Sequence, residues 1–319
     1  MMMAGNTPEW MQRRLDRIAE MAEFLASRYA DGRKLNVQEV IERQPEHKVT
    51  CSFESYGEEA FDGLIEYVPR TDGFHIHCNM DRCDRVNSGR TRFTLAHELG
   101  HYQIDEHRAW LKAHTDVLHP CFCFRSDSER KVMQEREADH FAAHFLLPTG
   151  WLKKDFGMPA PDGQLVIDVA CKYRLSLQAA ALRIVQVESI PCAMVVWAPN
   201  GRRAWGWMSD RVFRTYFGLL KHGQRLPKEC PTRRLLDNPR PAGEIIRDKT
   251  IAETWFPAAE EDQFTGDAGI RRERRDVIVN EHAISLGRFG VMTFLCGNEW
   301  IRLLCAPSKG EAPRFWGFR

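Results

Sequence analysis

The N-terminal stretch repeats apolar residues at helical spacing. Met11, Leu15, Ile18, Ala22, Leu25 and Tyr29 form one stripe of an amphipathic helix. A shorter helix fits "LNVQEVIERQP", with Asn36 and Glu39 spaced as a capping box and Pro45 after its end. The period then shortens to that of β-strands in "KVTCSF", "GLIEYV" and "FHIHCN". The turn chemistry of "PRTDG" predicts a hairpin over 64–80. Helical spacing returns in "NSGRTRFTLAHELGHYQI", with Ser88 or a neighbour as cap, and again from near Ser128 to Pro148. Between them a polar stretch with Cys, His and Pro reads as loop. Two further helical patterns flank "YRLSLQ" within 164–188. From about Ser189 the texture turns to strands. Two runs meet at Asn200-Gly201, and "VIVNEHAISLGRFGVMTFLC" is strand-rich. The pattern predicts an α+β chain in three parts: 1–150, a helical segment 151–188, and an α+β domain 189–319.

With 319 residues the chain is long enough for about two domains, and 43% hydrophobic with 28% charged residues suits a globular protein. A net charge of +1 gives no global attraction to nucleic acid or anionic membrane. No apolar run approaches a membrane span and no secretory signal opens the chain, so a cytoplasmic location is expected. The ten cysteines include no CxxC pair, which suits reduced thiols. Cys121 and Cys123 with His114 and His119 offer a second metal site on paper. Their CxC spacing lacks the usual gap, and a loop with partly buried thiols is the preferred reading. The run "RRERRD" at 271–276 reads as solvated surface.

The sharpest chemistry lies in "RFTLAHELGHYQID". Residues four apart share a helix face, so His97 and His101 can reach one zinc ion. Glu98, one position round the helix, can reach a metal-bound water as general base. A lone HExxH arises by chance in roughly one chain in a hundred of this size, so it needs support. Gly100, at a cost of about 1 kcal/mol in a helix interior, lets a neighbour approach closely. The stretch "MQEREADHFAAHFLLP" supplies a third ligand. Val132, Ala138, Phe141, Ala142, Phe145 and Leu146 define an apolar arc, and Glu135 and Asp139 fall within it. Glu137, His140 and His144 fall on the opposite, polar arc. Buried carboxylates need a cation or strong donors. Glu135 is therefore assigned as metal ligand, and Asp139 as acceptor from the free ring nitrogen of a ligand histidine such as His97.

"RTRFTLAHELGHY" followed by "EREADHFAAHFLLP" resembles the ImmA/IrrE family of metallopeptidases, over about residues 10–188. The resemblance places the zinc ligands on His97, His101 and Glu135 and the catalytic glutamate on Glu98. The family commonly has Asn where this chain has Asp139. It implies a zincin-like core, built of a small sheet plus the HExxH helix, and zinc-dependent cleavage of a partner repressor carrying a helix-turn-helix. It also makes a GAF-like sensor or recognition domain one expectation for 189–319. "FHIHCN" is expected to offer an edge for an extended substrate. Tyr102 and His140 are candidates for oxyanion stabilisation by sequence proximity alone. The helices around Ser176 resemble a helix-turn-helix, but the second carries only Arg183 as a positive charge, which disfavours DNA contact through 164–188. Two other readings compete with the peptidase. One is a metal-stabilised regulator of a DNA-binding partner, with a fourth protein ligand such as His77 or Cys78; the other is a direct DNA-binding regulator.

Overall fold

The computed structural model describes residues 9–32, 35–44, 48–83, 86, 88–115, 119–121, 129–157, 161–187, 191–209, 211–212, 226–256 and 277–305. The fold is α+β with two sheets. Its contacts divide the chain into two compact units. One holds residues 8–157 and 169–179; the other holds 1–7, 158–168 and 180–319. Among the described residues no helix is long and apolar enough to cross a membrane.

In the first unit, helix α1 (Glu9–Tyr29) buries Met11, Leu15, Ile18, Ala22 and Ala26. Helix α2 spans Val37–Glu42, but Asn36 makes no side-chain cap bond, so the expected capping box is absent. Strands β1 (Val49–Glu54), β2 (Gly63–Val68), β3 (Gly73–Asn79) and β4 (His119–Cys121) form a sheet in the order β1-β3-β2-β4. The hairpin read over 64–80 is β2 and β3, turned by a short 3-10 helix at Pro69–Thr71 and by Asp72 in the left-handed region at φ 47°. Strand β3 pairs in parallel with β1 and antiparallel with β2, so both its edges are taken. The expectation that "FHIHCN" receives a substrate strand is therefore corrected: its N–H and C=O groups already serve the sheet. The loop reading of "HPCFCF" is corrected for residues 119–121, which pair with Gly63–Ile65 of β2.

Helix α3 (Gly89–Gln103) starts where Ser88 accepts from the Thr91 amide at 3.2 Å, the predicted cap. It packs on β2 and β3 and carries ten consecutively or nearly consecutively buried positions from Thr91 to His101. Helix α4 (Asp105–Ala113) was not legible as a separate element; it buries only His107 and Leu111. Helix α5 (Glu129–Leu146) lies between α3 and α1 and ends before Pro148, where α6 (Thr149–Phe156) begins. Phe141, Ala142, Phe145 and Leu146 of α5 join Leu95, Leu99 and Ile76 in one core. Each large side chain buried there contributes roughly 1.5–3 kcal/mol.

The segment around "YRLSLQ" forms α7 (Gly163–Tyr173) and α8 (Leu177–Gln186), divided between the two units. Arg174 turns the chain at φ 53°, and Ser176 Oγ accepts from the Ala179 amide at 3.1 Å. Arg183, the one cation of α8, is buried.

The second unit holds an antiparallel sheet in the order β6-β5-β9-β8-β7. Its strands are β5 (Ala193–Trp197), β6 (Arg203–Met208), β7 (Ile245–Ile251), β8 (Ile278–Ser285) and β9 (Val291–Cys296). The Asn200-Gly201 hairpin joins β5 and β6, with a register shift between Val196 and Trp197. Trp197, Trp255 and Trp300 are fully buried on one face, and Trp197 Nε1 donates to Thr293 Oγ1 at 3.0 Å. Helix α9 (Pro231–Asp237) directs the Thr232 amide and hydroxyl onto the buried carboxylate of Glu281 at 3.0 and 2.8 Å. Helix α10 spans Asn298–Cys305. Edge strand β7 exposes Arg247, Asp248 and Lys249 in succession. The run at 271–276 lies outside the described residues.

Glu23 ties three helices of the first unit together. It accepts from His144 Nδ1 at 2.8 Å, the Thr149 amide at 3.0 Å and the Thr149 hydroxyl at 2.8 Å. Burial pushes its pKa up, but these donors outweigh it and hold the carboxyl at about 2. A folded value below the unfolded value of about 4.3 stabilises the fold above that pH and is lost as pH falls toward 2. Glu23→Gln should therefore cost on the order of 1–2 kcal/mol at pH 7. The gap from wild type should narrow between pH 4.5 and 3 in urea unfolding; a gap constant with pH would contradict this account.

Candidate metal centre

His97, Glu98 and His101 lie on the buried part of α3, with relative exposures of 1%, 0% and 2%. Helical spacing turns both imidazoles to one side, and their Nε2 atoms stand 3.2 Å apart. Glu135 of α5 faces that pair. Its Oε2 is 3.3 Å from His97 Nε2 and its Oε1 is 3.5 Å from His101 Nε2. The donor atoms of His97, His101 and Glu135 all lie within 4.8 Å of one another, and no other such cluster occurs among the described residues. Two Nε2 atoms facing each other can share only one proton. A divalent cation satisfies both lone pairs and the carboxylate together, so the donor set fits zinc with one coordination position left for a non-protein ligand.

Asp139, one turn after Glu135, places Oδ1 2.9 Å from His97 Nδ1. This contact orients the ring so that Nε2 points at Glu135. Burial opposes a charge on His97, yet the Asp139 and Glu135 carboxylates hold its pKa well above the ordinary value. The pocket thus favours positive charge at the position where a metal would sit.

Glu98 is not one of the three clustered donors. Both its carboxylate oxygens are buried without a hydrogen-bond partner. Burial, with the neighbouring carboxylates, pushes its pKa up to about 8. It packs against β2 at Gly63, where a Cβ would stand 2.7 Å from Glu98 Oε1 and 2.5 Å from Thr94 Cγ2. Only a glycine leaves that space. Gly63 was missed in the sequence because nothing in "FDGLIEY" separates it from a turn residue.

The helical arcs drawn for α5 need two corrections. Asp139 does not lie in a buried face: its side chain is 52% exposed, and it reaches His97 from the rim. Glu137 is not on a polar face: its side chain is 4% exposed and is held by Arg14 and His107. The reason is that α5 packs against both α3 and α1, so one apolar arc does not describe its burial. The side chain of Val132 lies outside the described residues. Gly100 does admit a close neighbour, namely Phe141 of α5. A Cβ there would stand 3.0 Å from Phe141 Cδ1 and 3.2 Å from Phe141 Cβ.

The remaining candidates have other contacts. Tyr102 meets Phe74 edge-on at 5.4 Å, and His140 lies against His144 at 4.4 Å. His77 is bonded to Glu66 at 3.0 Å and to Tyr56 at 2.8 Å, while Cys78 Sγ is 3.8 Å from Cys83 Sγ. His114 stacks on Trp110 with ring centroids 4.5 Å apart. Cys123 and the side chains of His119 and Cys121 lie outside the described residues, as therefore does the second-metal reading.

Residues 84–185, which carry this centre, match the family model of the IrrE N-terminal-like domain, Peptidase M78. This match supports the resemblance to the ImmA/IrrE family over that segment. A search of curated proteins finds no match. Among solved structures, a Mycobacterium tuberculosis transcriptional regulator is similar with a TM-score of 0.53 at 14% identity, covering 94% of this chain and 84% of that one. That likeness shows a shared fold. The IrrE-like segment begins just before α3 and contains the histidine pair, Glu98, Glu135 and Asp139.

Loss of the bridging carboxylate and loss of the orienting one should differ in degree. Asp139→Ala should weaken zinc binding by about 10–100-fold. Glu135→Ala should weaken it further. Chelator competition on the purified protein measures both. Equal affinity in all three proteins would remove the centre described here.

Proposed function

We propose that the protein is a zinc-dependent endopeptidase with a zincin-like core, acting on a partner protein of the helix-turn-helix repressor class. The observation that carries the reaction type is the Glu98 carboxylate: buried, without a partner, and adjacent to three converging metal donors. His97, His101 and Glu135 would hold the metal. Zinc bound there would acidify water and polarise a carbonyl. Glu98 accepts the proton of the attacking water and delivers it to the leaving amine. Asp139 keeps His97 in the tautomer that presents Nε2.

The partner class rests on the family resemblance, and the printed name of the structural neighbour supports a transcriptional setting. In this reading 151–188 is a helix-turn-helix-like segment that supports the peptidase, and 189–319 is a GAF-like sensor or recognition domain. The non-catalytic reading needs a fourth protein donor. His77 and Cys78, the candidates for it, are engaged with Glu66, Tyr56 and Cys83. Direct DNA binding through 164–188 has the buried Arg183 against it.

Glu98→Gln is close in size to the native residue and cannot accept the proton. It should keep zinc at native stoichiometry and lower cleavage of candidate helix-turn-helix repressors by about 10²–10⁴-fold. Mass spectrometry of the products measures this, with metal content read in parallel. Undiminished cleavage by that variant would rule out Glu98 as the base.

A further inference from the structure

Two of the carboxylates on helix α5 face different ways. Glu135 looks toward the histidine pair, and Glu137, two residues on, is buried against α1 and α4. Arg14 of α1 grips Glu137 with two parallel bonds, Nε to Oε1 and Nη2 to Oε2, the latter at 2.8 Å. Its third nitrogen reaches Glu106 at 2.8 Å. His107 of α4 places Nε2 2.9 Å from Glu137 Oε2. The ring of His107 also lies against that of His101, with centroids 5.0 Å apart and planes at 40°. One carboxylate therefore joins the ligand-bearing helix to two neighbours, and one of those neighbours touches a ligand imidazole.

We propose that Arg14, Glu137 and His107 are positioning residues for the metal centre. They fix the rotation of α5 so that Glu135 meets His97 and His101, and they support the His101 ring from behind. The inference rests on the metal reading given above. Its geometry is restrictive. A planar guanidinium bonded through two nitrogens to one carboxylate permits little rotation of the helix that carries it. Turning α5 enough to withdraw Glu135 breaks both Arg14 bonds and the His107 bond and leaves Glu137 buried without donors. Such a loss is strongly disfavoured. His107 Nδ1 is itself buried without a partner. The ring is thus held through Nε2 and through its face on His101, in a position that does not satisfy its other nitrogen.

A brace that serves stability alone predicts a different outcome from a brace that positions ligands. The test is a titration of the full-length apoprotein with cobalt(II), followed by zinc competition. It reads affinity and the visible d–d spectrum, which reports coordination geometry. Arg14→Met should weaken cobalt and zinc binding by about 10-fold or more and alter the d–d band. Arg14→Lys, which keeps the charge and loses the fork, should fall between Arg14→Met and wild type. His107→Gln approaches the same carboxylate from α4 and decides the matter if Arg14→Met does not fold. Folded variants with native affinity and a native spectrum, whatever their unfolding midpoint, would overturn the positioning role. Wild-type protein that bound neither cobalt nor zinc would instead overturn the metal reading, and the inference with it.

Discussion

The ring of Phe141 rests on the α-carbon of Gly100, and this contact sets how closely α5 approaches the HExxH helix. A side chain at Gly100 would crowd Phe141, which would have to give by a few tenths of an ångström. The distances at the centre leave little room for larger shifts. Glu135 stands 3.3 and 3.5 Å from the two imidazoles, so a displacement of an ångström or two separates the carboxylate from them. The apolar packing of Phe141, Ala142 and Phe145 and the polar grip on Glu137 therefore act together. The first sets the distance between helices and the second sets the angle of one of them.

Charge governs the rest of the site. Glu98, Glu135 and Asp139 gather around two imidazoles, and burial penalises each unbalanced charge. Burial opposes a charge on His97 but the Asp139 and Glu135 carboxylates raise its pKa, and burial raises that of the Glu98 carboxyl. Asp139 bears little of the penalty because its side chain is half exposed, while still orienting His97.

The local code was readable wherever periodicity and chemistry coincided. The α3 cap at Ser88, the β2–β3 hairpin and the limits of α5 all follow from patterns confined to a short window. The spacing of His97, Glu98 and His101 is likewise local, so the pairing of the imidazoles could be read directly. Glu135 was legible because a carboxylate on an apolar arc needs a cation. Other features depended on partners distant in sequence. Arg14 lies 123 residues from Glu137, and nothing around "QRRLDR" distinguishes it from its neighbours. The burial of Glu137 was misread because α5 is covered on two sides. Helix α4, with two buried residues, and β4, with three residues paired to β2, were too short to show a period. The free edge assigned to "FHIHCN" failed because strand order is set by tertiary pairing and not by the strand's own composition.

Edge strand β7 has a consequence for how the second unit survives its own folding. A long outer strand presents unsatisfied N–H and C=O groups to any other extended chain, and so can seed aggregation. Here the middle of β7 reads Arg247, Asp248, Lys249, all exposed, with Asp248 engaged by Arg234 at 2.7 Å. A second copy docking edge to edge would have to strip water from three adjacent charges. The three charges in the middle of β7 therefore set the sheet against pairing edge to edge with another extended chain.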